Sequence, residues 1–224
     1  MKKYFYNFYL ILINIGKYGL YEIFKAFFIE FMYLIKIRDF KSWLYDDKYT
    51  DSYKYTKSDN DYNAPQTPTP YYFLNIAAKF LRQNKINNFV LCDFGCGHGR
   101  LGKFFKDKFN CLFYGMEINK FMIEDLKKEN EDNFFLFAID LKNKVERQEI
   151  FNKIKEHKKT IVLFISDTFD IRTINEILDY FSNTVHYVIA VNIKESDKLP
   201  SNYEVLSVKE FNIKNRHVIL LKKN

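Results

Sequence analysis

The apolar positions of the chain change period several times, and each change marks an element. Phe5, Phe8, Tyr9, Leu12, Leu20, Ile23, Phe27, Phe31 and Leu34 recur at helical spacing, with Asn7, Asn14, Lys17, Glu22, Lys25, Glu30 and Lys36 falling largely elsewhere on the wheel. This is the pattern of a one-faced helix, and Gly16 and Gly19 divide it in two. Charges interrupt it well short of the ~20 apolar residues that a membrane span needs. Lys2 and Lys3 precede an apolar run as in a secretory signal, but no small-residue cleavage site follows. Lys41 to Asn63 is polar and rich in tyrosine and aspartate, and reads as a loop or lid. Pro65, Pro68 and Pro70 keep the next stretch out of a helix. Thr69 is expected to cap, and Pro70 to open, a helix that buries Tyr71, Leu74, Ala77, Ala78 and Leu81 and ends near Asn84.

Short apolar runs then alternate with helical spacing. Phe89–Cys92, Cys111–Glu117, Phe134–Ile139, Thr160–Ile165 and His186–Asn192 suit strands, the first of them buried on both faces. Between them, Leu101–Lys108, Asn119–Glu129, Val145–His157 and Ile171–Phe181 read as helices. Tyr203–Phe211 and His217–Leu221 flank the turn Lys214-Asn215-Arg216 and predict a β-hairpin. Alternation of this kind builds an α/β domain on a doubly wound sheet. With 224 residues, one catalytic domain plus an extension is expected. The extension and linker occupy 1–63 and the domain 64–224.

The chemistry concentrates in Phe89–Gly102, FVLCDFGCGHGRLG. Asp93 ends the strand, and Gly95, Gly97 and Gly99 alternate through a tight loop before a helix. Such glycines let the backbone turn sharply and approach a ligand without a Cβ in between. The helix start aims unpaired N–H groups and partial positive charge at the loop. The arrangement is a nucleotide cradle. Gly97-His98-Gly99-Arg100-Leu101-Gly102 also matches the dinucleotide fingerprint, with Glu117 twenty residues beyond Gly97.

The pattern Asp-x-Gly-x-Gly-x-Gly, from Asp93 to Gly99, resembles the first motif of class I S-adenosylmethionine-dependent methyltransferases. Three features favour this resemblance over a nicotinamide or flavin enzyme. Asp93 stands where an acid suits a ligand's ammonium group, the chain ends soon after one sheet, and its tail reads as an antiparallel pair. The run Pro68-Thr69-Pro70-Tyr71, followed by Gly95-Cys96-Gly97-His98-Gly99-Arg100, is similar to a subset of the bacterial enzymes. Gln66-Thr67 replaces the tyrosine and acid usual before that run.

The resemblance spans about 68–222 and implies a Rossmann-like sheet closed by an antiparallel C-terminal hairpin, with S-adenosyl-L-methionine as cofactor. It implies cofactor contacts from Asp93, Gly95, Gly97 and Gly99. It sets Glu117 on the ribose diol, Asp140 on the adenine amino group and Thr69 over the amino-acid end. The loop after the fourth strand would face the methyl group, which makes Asp167 the candidate base, with Asp170 behind it. Asp167 reads equally well as a cap for the helix that follows. Asp167-Thr168-Phe169 lacks the two prolines that enzymes acting on the amines of bases often carry.

Composition narrows this further. The net charge of +7 is spread among acids, which reads as solvated surface rather than a nucleic-acid track. Cys92, Cys96 and Cys111 provide no disulfide framework and fit a reducing cytoplasm. Cys92, Cys96 and His98 match no common zinc spacing, so no metal site is expected. A small molecule or glycan component is the expected acceptor. A protein lysine or amino terminus comes second, and a cofactor-binding protein without turnover is the third reading. The N-terminal helices are expected to pack on the core or in a homodimer, with peripheral contact to a membrane as the alternative.

Overall fold

The structure is a computed structural model and describes residues 20–37, 69–129, 133–166, 169–184, 186–193, 199–210 and 217–223. Two helices come first, α1 (Leu20–Ile37) and α2 (Tyr71–Gln83). Strands and helices then alternate through β1 (Phe89–Phe94), α3 (Arg100–Lys108), β2 (Leu112–Glu117), α4 (Lys120–Lys128) and β3 (Phe134–Ala138). They continue through α5 (Lys144–Glu156), β4 (Thr160–Ser166), α6 (Ile171–Tyr180) and β5 (His186–Val191). The last two strands are β6 (Tyr203–Glu210) and β7 (His217–Lys223). The strands and helices expected from Tyr71 onward are all present, with ends shifted by one or two residues. The Gly16–Gly19 break, the Lys41–Asn63 segment and the Lys214-Asn215-Arg216 turn lie outside the described residues.

One seven-stranded sheet runs in the order β3-β2-β1-β4-β5-β7-β6. β1 to β5 are parallel, and β7 is antiparallel to both β5 and β6. From β1 the chain winds outward to β3, then crosses back to place β4 on the other side of β1. The sheet therefore reverses direction between β1 and β4. Open sheets bind ligands at such a point, outside the carboxyl ends of the strands.

Strand periodicity divides the core into two layers. Phe89 and Leu91 of β1 face one layer, with Leu74, Ala77 and Leu81 of α2 and Leu101, Phe104 and Phe105 of α3. Val90, Cys92 and Phe94 face the other, with Ile150, Phe151 and Ile154 of α5 and Ile174, Ile177 and Leu178 of α6. All six residues of β1 are buried, which explains its uninterrupted apolar run.

α1 packs on the first layer. Leu34 is buried there, while Tyr33 stacks on Tyr71 with ring centroids 5.3 Å apart and meets Phe104 at 5.0 Å. Lys36 pairs with Asp107 at 2.6 Å. Packing on the core is thus the arrangement adopted by the described part of the extension. Its outer face leaves Tyr21, Phe24 and Phe28 exposed, and with them Phe27 and Phe31 of the expected apolar stripe; the helix turns Ile29, Tyr33, Leu34 and Ile37 to the core instead. No helix among the described residues is long and apolar enough to cross a membrane.

Gly102 shows how closely α3 lies on β2. A Cβ built there would stand 2.7 Å from the Phe113 ring, and that ring is buried in the core. Gly102→Ala should destabilise the fold by about 1–3 kcal/mol, as overpacking does, and lower Tm by several degrees. A thermal melt checks this; an unchanged Tm would mean that α3 can lift off the sheet at no cost.

Candidate active site

The site forms where β1 and β2 end. β1 carries Asp93 one residue before its end, opposite Gly115 of β2 and Phe164 of β4. Gly95, Gly97 and Gly99 follow, all with positive φ, at 83°, 50° and 69°. Side chains avoid that region and glycine does not, so the alternating glycines are required by the backbone path. Gly95 N and Cys96 N donate to Met116 O at 2.8 and 2.9 Å, which ties the loop to the end of β2. Gly99 N closes the turn on Cys96 O at 2.8 Å. A Cβ built on Gly97 would meet nothing within 4 Å. At that point the loop faces open space rather than protein.

Glu117, the last residue of β2, is buried under this loop. Its Oε2 accepts from Gly97 N at 3.1 Å and its Oε1 from Asn119 N at 3.0 Å. A carboxylate accepts about four hydrogen bonds, so these two backbone contacts set its direction. Asn119 Oδ1 in turn accepts from Phe121 N and Met122 N and caps α4. The structure therefore brings Asp93, the three glycines and Glu117 into one constellation.

That constellation is acidic and dry. Asp93 is 6 % and Glu117 5 % exposed. Burial, with the charge of Glu117 as the second cause, pushes the Asp93 carboxyl up to about 8. A buried acid with an acid for a neighbour favours whatever brings positive charge to it. Open space over Gly97, a helix start and two buried carboxylates fit a ligand with a cationic group and a hydroxylated sugar. Burial pushes the Cys92 and Cys96 thiols up, so neither is a thiolate at neutral pH. Among the described residues, no group of three or more His, Cys, Asp or Glu is placed to hold a metal ion.

The remaining expected positions behave differently. Asp140 is exposed beyond β3, two residues after its last one. Its Oδ1 accepts from Lys142 N at 2.9 Å, which makes the turn into α5. Ile139 N donates to Glu117 O at 3.0 Å, so Asp140 lies beside the Glu117 strand end. Thr69 does not cap α2. Pro70, at φ −58° and ψ 140°, takes the N-cap position, and its carbonyl accepts from Phe73 N and Leu74 N. Proline sets its own φ and tolerates this extended entry, so the helix begins one residue later than expected. Thr69 instead offers its carbonyl to Arg100 Nη1 at 3.4 Å.

Asp167 lies outside the described residues. The cap of α6 is Asp170, whose Oδ1 accepts from Thr173 N at 2.9 Å and whose Oδ2 accepts from the Thr173 hydroxyl at 3.0 Å. The backbone N–H of Thr173 is the main cause that lowers the Asp170 carboxyl below its ordinary value. Asp170 is occupied as a cap and is a poor base.

Two residues near the cradle escaped the sequence reading. Arg100 is buried at the start of α3, and Glu30 reaches it from α1 at 2.5 Å. The one local signal was an arginine set directly after a glycine loop, at a position the helix buries.

No family model matches the sequence, and no curated protein sequence is similar to it. The architecture does match solved structures. The candidate methyltransferase yhhF from Escherichia coli aligns over 71% of this chain and 89% of its own, at 14% identity and a TM-score of 0.51. A candidate RNA methyltransferase from Pyrococcus horikoshii aligns over 75% and 89%, at 14% identity and a TM-score of 0.47. Magnesium protoporphyrin IX methyltransferase from Synechocystis, solved with bound S-adenosylmethionine, aligns over 80% and 97%, at 13% identity and a TM-score of 0.46. Taken with the parallel sheet and its antiparallel end, the first of these shows the fold: the chain has the Rossmann-like fold of class I methyltransferases.

The Asp93 carboxyl gives the fold a pH signature. An aspartate ionises near 3.9 in the unfolded chain, but near 8 here. Between those values the folded state holds a proton that the unfolded state has lost. This contribution therefore favours folding least at high pH, and stability should fall as pH rises from about 4 to 8. Thermal melts of the ligand-free protein at pH 5 and pH 8.5 should show the decline, and Asp93→Asn should flatten it. A variant with the wild-type slope would remove Asp93 as its source.

Proposed function

We propose that this protein is an S-adenosylmethionine-dependent methyltransferase whose acceptor is a small molecule or a glycan component. The observation that carries the reading is the pair of buried carboxylates on either side of a glycine loop that is open at Gly97. In this reading Asp93 accepts from the cofactor's ammonium group. Glu117, already directed by Gly97 N and Asn119 N, accepts from the ribose diol. Gly97 and Gly99 keep side chains away from the cofactor. Asp140 meets the adenine amino group, and Thr69 lies over the amino-acid end.

Bound in this way, S-adenosylmethionine supplies a methyl group on a positively charged sulfur that is already electrophilic. The protein's task is then chiefly to hold an acceptor atom in line with that methyl. Where the acceptor must lose a proton, Asp167 is the group assigned to orient and take it, a contribution of roughly 10²–10⁴ in rate. Asp170 is excluded from this by its duty as the α6 cap. The missing prolines after Asp167 argue against bases of nucleic acid as acceptors.

Calorimetry tests the cofactor directly. The wild-type protein should bind S-adenosylhomocysteine and not NAD. Glu117→Ala should weaken binding tenfold or more, because each charge-assisted hydrogen bond is worth about 1.5–3 kcal/mol. Tight NAD binding with no response to the homocysteine derivative would overturn the reading. The acceptor is tested by methyl transfer from labelled cofactor to cell-extract fractions of nucleic acid, protein, glycan and small molecules. Label in the small-molecule or glycan fraction, lost in Asp167→Asn with cofactor affinity intact, is the expected result. Label chiefly in nucleic acid would refute the acceptor assignment, and label in protein would favour the lysine or amino-terminal alternative. Cofactor binding with no labelled product would point to a fold that has kept binding and lost turnover.

A further inference from the structure

The two flanks of the cradle are held by one side chain from outside the sheet. Glu30 lies in α1, seventy residues before Arg100. Its Oε1 accepts from Arg100 Nη1 at 2.5 Å, and its Oε2 from Tyr71 N at 2.7 Å. Arg100 is the first residue of α3 and directly follows Gly99, the last glycine of the loop. Tyr71 is the first residue of α2 and ends the Thr69-Pro70-Tyr71 entry. The same guanidinium also donates to Thr69 O at 3.4 Å, and its carbon stands 4.5 Å over the Tyr71 ring.

We propose that Glu30 is a positioning residue for the cofactor cradle, so that α1 is part of the site rather than an appendage. The proposal rests on the cofactor reading above. Pro70 offers α2 no side-chain cap, and Glu30 supplies an acid to the N–H at that helix start instead. With its other oxygen it fixes the side chain that adjoins Gly99. One carboxylate thus sets the distance between the glycine loop and the Thr69 segment, the two walls of the cradle.

Stability alone does not account for an ion pair at this place. The Arg100 side chain is 5% and that of Glu30 15% exposed, and at such burial the desolvation cost rivals the Coulombic gain. α1 is already anchored by Leu34 and by the contacts of Tyr33 with Tyr71 and Phe104. An apolar pair of similar volume would hold the helix as well. What an apolar pair cannot do is bind Tyr71 N and direct the guanidinium toward Thr69 O.

The test compares Glu30→Gln with the double variant Glu30→Met/Arg100→Met in the full-length protein. Tm and the affinity for S-adenosylhomocysteine are measured for each, with binding followed well below the melting range. Glu30→Gln should lower Tm, because it leaves Arg100 buried without its counter-charge, and should weaken binding about tenfold. The double variant should recover Tm but not affinity. Affinity that returns together with Tm would make the pair a plain stabiliser and overturn the proposal. So would wild-type affinity in a folded Glu30→Gln protein. If the wild-type protein itself does not bind S-adenosylhomocysteine, the cofactor reading fails and this role fails with it.

Discussion

Everything at the candidate site depends on two carboxylates being kept dry at the ends of adjacent strands. Asp93 and Glu117 are each 5–6% exposed, and their mutual repulsion adds to the cost of burial. That cost is visible in the carboxyl of Asp93, pushed up to about 8. Proteins seldom keep such a pair without a use for it. The sheet supplies the rigidity that makes it possible. β1 lies between β2 and β4, with both of its faces covered by helices. Glu117 is further directed by two backbone N–H groups. A cationic group brought to Asp93 would offset that cost.

The helices around the sheet are arranged to serve the same spot. α3 starts from the third glycine and approaches β2 closely because Gly102 has no side chain. α4 is capped by Asn119, which also donates its N–H to Glu117. α1 and α2 converge on the other flank through Glu30 and Arg100. A chain segment that the sheet does not need for its topology thus reaches within one side chain of the loop.

The sheet was legible in the sequence because its central strands are apolar on both faces and its helices on one. That contrast survives without any knowledge of distant contacts. Asp93, the glycines and Glu117 were legible for a related reason, since they sit at fixed offsets from strand ends. The Glu30–Arg100 pair was not. Glu30 falls among Glu22, Lys25 and Lys36 as an apparent surface charge, and a partner seventy residues away leaves no local periodicity. α2 begins one residue later than its sequence predicts, with Pro70 at the N-cap and Glu30, not Thr69, accepting from the Tyr71 N–H. The cap of α6 was expected of Asp167, but Asp170, directly before the helix, accepts from Thr173 N and takes that duty.

The central claim is that the acid pair exists to receive a cationic ligand, and proton release on binding measures it most directly. Calorimetric titration of S-adenosylhomocysteine near pH 7, in buffers of different ionisation enthalpy, counts the protons exchanged. An ammonium group brought to Asp93 should lower its pKa from about 8, so a proton should leave as the ligand enters. The account predicts release approaching one proton near pH 7, vanishing above pH 9 and absent in Asp93→Asn. Binding with no buffer dependence at pH 7 would contradict it.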